Sequence, residues 1–412
     1  MEELPIGRRV AYWRNRRRMS QQVFADRLGK SKSWVDKVER GVRRLDKFSL
    51  IHDIADVLQV ETKLLLGSEP DRRDDRREET HLIARSEVVE IRAALERYDQ
   101  VNLFYPPPTP PPALSELGKS VRHAWLTYQH AKGQTLARLL PDLLRQAQTA
   151  DLFYQRTDQA ARAAHLLGQV YQIASSSLRN LGEFELAWLA ADRAVAVAQR
   201  AKDELLAGVA TFRVGMALLA MGRARPALEI NISVANRLAP PYGRDSTPQQ
   251  LSVYGMLLLQ GAMAAAKIRD GSTASDLLRA ADEAAQWLGA DHNHYWSCFG
   301  PTNVLLHRAA AAVEMGEGKY AVATHEQIGA DGFAALVPER RVHFLLDLAR
   351  GWAQVGDVQR AGEMLVAGDR LAPAELRSRP IVREILGDVM RRSQGTPPPA
   401  VCELAAQTGV GG

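Results

Sequence analysis

Three times beyond Leu114 the chain sets a glycine, an aromatic or aliphatic residue two positions on, and an alanine five positions after the glycine. These are Gly182, Phe184 and Ala187; Gly318, Tyr320 and Ala323; and Gly356, Val358 and Ala361, with Gly222 and Ala227 as a partial copy. Such spacing between stretches rich in Ala and Leu leaves little freedom of architecture. Each glycine turns the chain between two helices, the small alanine lets them approach, and neighbouring pairs stack into one array. Tyr171, Leu218, Leu345 and Trp352 are the side chains expected in the seams between helices.

At 412 residues the chain is too long for one core and is expected to divide into two or more units. Apolar residues make up 46% of it but aromatics only 6%, a balance that suits stacked amphipathic helices, so the fold class expected is all-α. Cys298 and Cys402 are the only cysteines, which argues against a disulfide framework and for a reducing compartment. The N-terminal MEELPIGRRVAYW has no signal-like apolar stretch, and nowhere do about 18 apolar residues run unbroken. The expected location is the cytoplasm, on the nucleoid.

The nucleoid enters because charge is unevenly spread. Between Arg8 and Lys47 stand 14 Lys or Arg against Asp26, Asp36, Glu39 and Asp46, a net +10 within a chain of net +5. A basic block on an otherwise mildly acidic chain points to a polyanionic partner at that end. The block also has helical punctuation. Ile6, Val10 and Trp13 share one face of a first helix. Ser20 can cap a second that carries Phe24, Ala25 and Leu28 inward and stops at Gly29. Ser31 can cap a third, with Val35 and Val38 inward, that ends at Gly41. Phe48 to Leu58 makes a fourth, with Leu50, Ile54, Ala55 and Leu58 inward, and Glu61 to Leu66 a short fifth.

Short helices joined by a glycine-bearing turn suit a helix-turn-helix, whose second helix enters the major groove. The run SQQVFADRLGKSKSWVDKVERG resembles the Cro/repressor-type (XRE) family in Gln21, Ala25, Gly29, Glu39 and Gly41, and the likeness spans roughly residues 6–66. The resemblance implies that Gln21 bonds a backbone phosphate and that Ser31, Lys32, Ser33 and Lys37 face DNA. It also implies an ion pair between Arg14 and Glu39. Helix geometry agrees: with Val35 and Val38 inward, Lys32, Ser33, Asp36 and Lys37 lie outward. Lys can donate to guanine and Ser to a base edge or phosphate. Arg40, Arg43 and Arg44 would contact phosphates, Arg16, Arg17 and Arg18 could add to them, and Trp34 either packs or touches a thymine methyl or sugar.

Residues 1–70 thus form the expected five-helix DNA-binding domain. Residues 71–113 form a linker: the mixed-charge run DRRDDRREE, a helix from His81 to Tyr98 with Leu82, Val89 and Ala93 on one face, and the spacer PPPTPPP, too proline-rich for a helix. Residues 114–395 are the helical array and 396–412 a flexible tail. The array resembles the tetratricopeptide repeat, with Pro373 closing the last unit. Gly182 and Gly222 stand 40 residues apart and Gly318 and Gly356 stand 38 apart, longer than the usual ~34, so longer loops are expected, the largest at 239–248. The start of the array, residues 114–149, resembles actinobacterial regulators that join both parts in this order.

No Walker loop, dinucleotide fingerprint or nucleophile elbow is present, and no self-cleavage segment, so enzymatic activity and a bound cofactor are not expected. His292, His294, Cys298 and His307 fall outside the common zinc spacings, and no metal is expected there. Polar stripes do recur on the helices preceding the turns. His165, Gln169, Gln172 and Ser176 form one, His343, Asp347, Arg350 and Gln354 another, and Asn303, His307 and Glu314 a third. Side by side they would line a polar groove for a peptide or small-molecule effector, with His165, Gln169, Gln172, Asn303, His307, Asp347 and Arg350 as its candidate contacts. The reading is a homodimeric transcriptional regulator on palindromic double-stranded operator DNA. The alternative is a solenoid adaptor that docks a protein partner, localised to DNA by the same module. An antitoxin is a third reading, disfavoured by the chain's length.

Overall fold

The computed structural model describes residues 6–17, 19–43, 45, 48–58, 60, 65, 86–97, 110–240, 246–377, 379–393 and 397–410. Among them the fold is all-α, with a single antiparallel bridge between His292 and Phe299. The chain divides into two units, Met1–Ile83 and Ala84–Gly412.

The first unit holds α1 (Ile6–Arg16), α2 (Gln21–Arg27), α3 (Lys32–Glu39) and α4 (Phe48–Leu58). Its core gathers Val10 from α1, Phe24 and Ala25 from α2, Val35 and Val38 from α3, and Ile51, Ile54, Ala55 and Leu58 from α4. Leu65 is buried against them. Apart from Leu65, the expected fifth helix lies outside the described residues, as do the charged run at 71–79 and most of the proline spacer.

The second unit begins inside the expected linker. Residues 86–95 form a helix, α5, that buries Ile91, Ala94 and Leu95 in the core of the array. The face marked by Val89 and Ala93 is turned out: Val89 is 63% exposed. Glu87, Ile91 and Ala94–Leu95 follow the helical period equally well, and the larger apolar groups on that side decide which face is buried.

The array continues with α6 (Leu114–Gln129), α7 (Gly133–Tyr154), α8 (Ala160–Asn180), α9 (Phe184–Ala201), α10 (Glu204–Ala220), α11 (Ala224–Leu238) and α12 (Pro248–Lys267). Then come α13 (Gly271–Leu288), α14 (Pro301–Met315), α15 (Gly318–Ala335), α16 (Pro338–Val355) and α17 (Val358–Leu371). From α6 to α17 each helix packs on the next, and α6, α8, α10, α12, α14 and α16 also pack on one another in that order as an inner layer. The described residues at the long 239–248 connection stop at Pro240 and resume at Ser246.

Two expectations about the turns change. The turn before α15 is made by Gly316, at φ +85°, and the alanine buried five positions on is Ala321, not Ala323. Gly318 instead opens the helix, where a β-carbon would lie 2.7 Å from the Gly351 carbonyl oxygen. Tyr320 stands half in solvent. A further turn of the same kind has Arg269, not glycine, at φ +61° with Ala274 buried behind it, and so left no mark in the spacing.

The chain also ends differently from expectation. After α18 (Pro373–Arg377) and α19 (Pro380–Arg392), residues Pro399–Thr408 form α20, and Val401 and Leu404 of this expected tail are buried against α17 and α19. The apolar 400–405 stretch, opened by prolines that fit the first turn of a helix, supplies enough buried surface to order the segment.

The inner layer closes on itself, because α6 packs also on α16. Tyr128 Oη of α6 donates to Glu339 Oε1 of α16 at 3.1 Å. The connection between α13 and α14 fills the space enclosed. Trp296 stacks on Trp125, ring centroids 5.7 Å apart, and donates through Nε1 to Gln169 Oε1 at 3.3 Å. Gln129 and Asn293 exchange amide hydrogen bonds at 3.1 and 3.0 Å. Tyr295, Trp296 and Cys298 hold left-handed backbone there, a conformation costing roughly 1–2 kcal/mol per residue. It persists because packing on both sides fixes the loop. The expected open groove is therefore partly occupied by the protein's own chain.

Candidate nucleic-acid interface and ligand cavities

Two serines set the helix-turn-helix geometry. Ser20 Oγ accepts from Val23 N at 3.2 Å and Ser31 Oγ from Trp34 N at 3.1 Å, so each satisfies an orphan donor in a first helical turn. Between them Gly29, at φ +62°, reverses the chain. This presents α3 with Val35 and Val38 inward and Ser31, Lys32, Ser33 and Lys37 exposed. Arg40 and Arg43 are exposed just beyond, Arg40 within 3.4 Å of Asp36. Trp34 is half-buried against the core, a packing position first. Arg44 lies outside the described residues.

Beneath this surface Arg14 and Glu39 make the expected buried pair, and Glu39 Oε2 accepts from Gln21 Nε2 at 2.8 Å as well. Gln21 thus ties α2 to α3 in the free protein, which leaves one amide hydrogen at the N-terminus of α2, a position that favours a phosphate. Two arginines of the cluster at the end of α1 have partners within the unit. Arg17 Nε donates to the Leu58 carbonyl at 3.0 Å, and Arg16 lies over the Trp13 ring and bonds Tyr12 Oη. Arg18 is outside the described residues. Lys30, exposed in the turn beside Gly29, is the cation that helical periodicity had no way to mark.

Residues 5–65 match the family model of the helix-turn-helix domain. The chain therefore carries a helix-turn-helix DNA-binding domain at its N-terminal end, and the match coincides with the expected extent of 6–66. No curated protein and no solved structure matches the chain.

Behind the helix-turn-helix domain, the polar stripes do not form one groove. His165, Gln169 and Gln172 line a cavity of about 200 Å³ with Gln249, Tyr295 and Trp296. His165 Nδ1 is 3.0 Å from Asp203 Oδ2, a hydrogen bond that holds the Asp203 carboxyl below its usual range. Asn303, His307 and Asp347 line a second cavity, of about 310 Å³, with Arg179, Glu314, Arg340 and His343. Arg350 stays behind that wall, its Nη1 at 2.7 Å from Glu314 Oε1 and 3.7 Å from Asp347 Oδ1. Ser176 and Gln354 are spent on backbone carbonyls of Gln172 and Val313. Arg179 and Arg340 were missed, although each extends a stripe by one helical turn: Arg179 follows Ser176, and Arg340 precedes His343.

The larger cavity is strongly polarised. Burial, reinforced by the Arg340 charge, pushes His307 down to about 4. Burial, reinforced by Arg379, pushes His343 down to about 4 as well. His343 Nε2 lies 2.5 Å from Arg379 Nη2 and 3.1 Å from Glu339 Oε1, so it accepts from the arginine when bare and donates to the carboxylate when protonated. Burial raises Asp347 to about 6 against the opposing pull of Arg350. Among the described residues, no group of three or more His, Cys, Asp or Glu is placed to hold a metal ion; His292 and His294 stack ring on ring, and His307 Nδ1 bonds the Asn303 carbonyl.

Proposed function

We propose that this protein is a transcriptional regulator of the XRE type. Its α3 lies in the major groove of a palindromic operator, and its tetratricopeptide-like second unit dimerises it and responds to a small-molecule effector. The observation that carries this reading is the division of α3 between buried Val35 and Val38 and exposed Lys32, Ser33 and Lys37, set within the basic block. The lysines reach guanine acceptors, and Arg40 and Arg43 hold the phosphates on either side. One such module reads only a few base pairs. A two-fold dimer reading half-sites about one turn, ~34 Å, apart supplies the missing specificity. The protein works without catalysis, in the cytoplasm, on the nucleoid. Among the described residues no helix is long and apolar enough to cross a membrane, which is compatible with that location.

An effector acts only by binding the DNA-competent and incompetent arrangements unequally, and a tenfold shift in operator affinity corresponds to about 1.4 kcal/mol of coupling. Genome-wide mapping of bound sites, followed by footprinting of the full chain on the sequences recovered, tests the reading. Protection of two inverted half-sites supports it. Failure to enrich any sequence, or binding only through an added protein partner, overturns it in favour of the adaptor.

A further inference from the structure

The cavity of about 310 Å³ is bounded by residues from all five helices α8, α10, α12, α14 and α16. Its lining includes the apolar Met216, Met263, Leu306 and Phe344, and among its polar groups most charges are already matched. Lys267 Nζ and Arg350 Nη1 each lie 2.7 Å from an oxygen of Glu314, and Arg340 Nη2 donates to the Ser297 carbonyl at 3.3 Å while its Nε faces Glu339. Two lining residues keep covered polar atoms unpaired: Arg179 has Nε and Nη2 buried without a partner, and Asn303, only 2% exposed, has Oδ1 buried without one.

Leaving such atoms unpaired costs about 1–3 kcal/mol each, more for a charged group, so a rotation of either side chain that turns them toward a ligand in the adjoining cavity is favoured. The pair Nε and Nη2 is one edge of a planar guanidinium, which meets the two oxygens of a carboxylate in parallel hydrogen bonds. A phosphate dianion is opposed by Glu314 and Asp347 in the same lining. An unpaired amide oxygen calls for a donor on the ligand. The volume lies at the low end for small-molecule sites and is too small to enclose an extended peptide.

We infer that this cavity binds a small organic carboxylate with an apolar body and a hydroxyl or amide donor, its carboxylate on Arg179, its donor on Asn303 and its body against Met216, Met263, Leu306 and Phe344. The inference deepens the proposed effector response and depends on that reading only for its regulatory consequence, not for binding.

The test is calorimetric titration of the full chain with 3-hydroxyoctanoate, its methyl ester, octyl phosphate and a short-peptide mixture. The acid should bind, and the ester, which keeps the hydroxyl and apolar body but loses the charge, should bind about tenfold or more weakly. Arg179→Met should remove that preference while circular dichroism keeps its helical signal, and Leu306→Trp, which fills the cavity, should abolish binding. Absence of heat with the acid at millimolar concentration, equal affinity for acid and ester, an unchanged Arg179→Met, or preference for octyl phosphate or peptide would each overturn the site. Operator affinity is measured separately, with and without the acid. Acid binding that leaves DNA affinity unchanged overturns the effector reading alone, and loss of the site leaves DNA recognition standing.

Discussion

Arg14 and Glu39 face each other as a buried fork, Nε to Oε1 at 2.6 Å and Nη2 to Oε2 at 3.1 Å, while Arg14 Nη1 also holds the Met19 carbonyl at 2.6 Å. With Gln21 on the same carboxylate, this one cluster joins α1, α2 and α3. Removing one partner strands a buried charge, whereas replacing both removes the need for the pair. Glu39→Ala should therefore cost about 3–5 kcal/mol, and Arg14→Met with Glu39→Leu should recover most of it. Hydrogen exchange at the amides of α1–α3 in the full chain reads the local loss, and equal destabilisation by the single and double changes would contradict the assignment.

On the outer face of α3 the groups carry different duties. Lys32→Ala or Lys37→Ala, where the lysine donates to a base, should cost about 1–3 kcal/mol and relax preference at one position of the half-site. Arg43→Ala should weaken all sequences alike and shallow the dependence of log affinity on log salt by about one unit. Fluorescence anisotropy over a salt series with matched and scrambled operators separates the two patterns. A triple change at Lys32, Ser33 and Lys37 that leaves site preference intact would remove α3 from the groove.

Local chemistry explains why the first unit was legible and the second only in outline. Ser20, Gly29 and Ser31 announce the turn by their own backbone preferences, and the inward residues of α2 and α3 follow within one or two helical turns. Gly316 was passed over because Gly318, two residues on, satisfies the same spacing, and only the observed φ tells a turn residue from one kept small by the Gly351 carbonyl. In the Arg269 turn the left-handed position holds no glycine, and Gly271 stands two residues on, where it opens the helix. Closure of α6 onto α16 brings Tyr128 to Glu339, residues 211 positions apart, and no periodicity within a helix reports on such a meeting. The stripes lie on three helices of the inner layer, but how they divide between two cavities follows from the 291–300 loop.

That loop can be tested through Gly255. A β-carbon there would lie 1.9 Å from Phe299 Cζ and within 2.5 Å of two more ring atoms, and Phe299 is fully buried. Gly255→Ala must displace the ring, at a cost toward the upper end of the ~1–3 kcal/mol typical of overpacking. Displacement of Phe299 should loosen Trp296 from Trp125, visible as a change in near-ultraviolet circular dichroism. Phe299→Leu in the same chain should restore part of both signals, since adjacent changes that share one space are not additive. Retention of the aromatic signal in Gly255→Ala would show that the loop is not held by this contact.

Acid should weaken the second unit, and the sign follows from three buried groups. His307 and His343 have folded values lowered to about 4, against about 6.5 in an unfolded chain, so the unfolded state binds the extra protons between those limits. Their contribution is intact above about pH 6.5 and is lost as pH falls toward 4. Asp347 acts oppositely: raised to about 6 from an ordinary value near 4, it takes up its proton first in the folded state, which favours folding as pH falls through the same window. Two protons gained on unfolding against one released leave a net of about one, so stability should fall by about 1.4 kcal/mol per pH unit between pH 6 and 4.5. Asp347→Asn removes the opposing group and should make the fall steeper, while His307→Asn with His343→Gln should flatten or reverse it. Urea denaturation followed by helical circular dichroism at pH 7.5, 6 and 4.5 measures all three. A steeper fall in the double histidine variant than in the parent would show that the rings are not the groups that titrate.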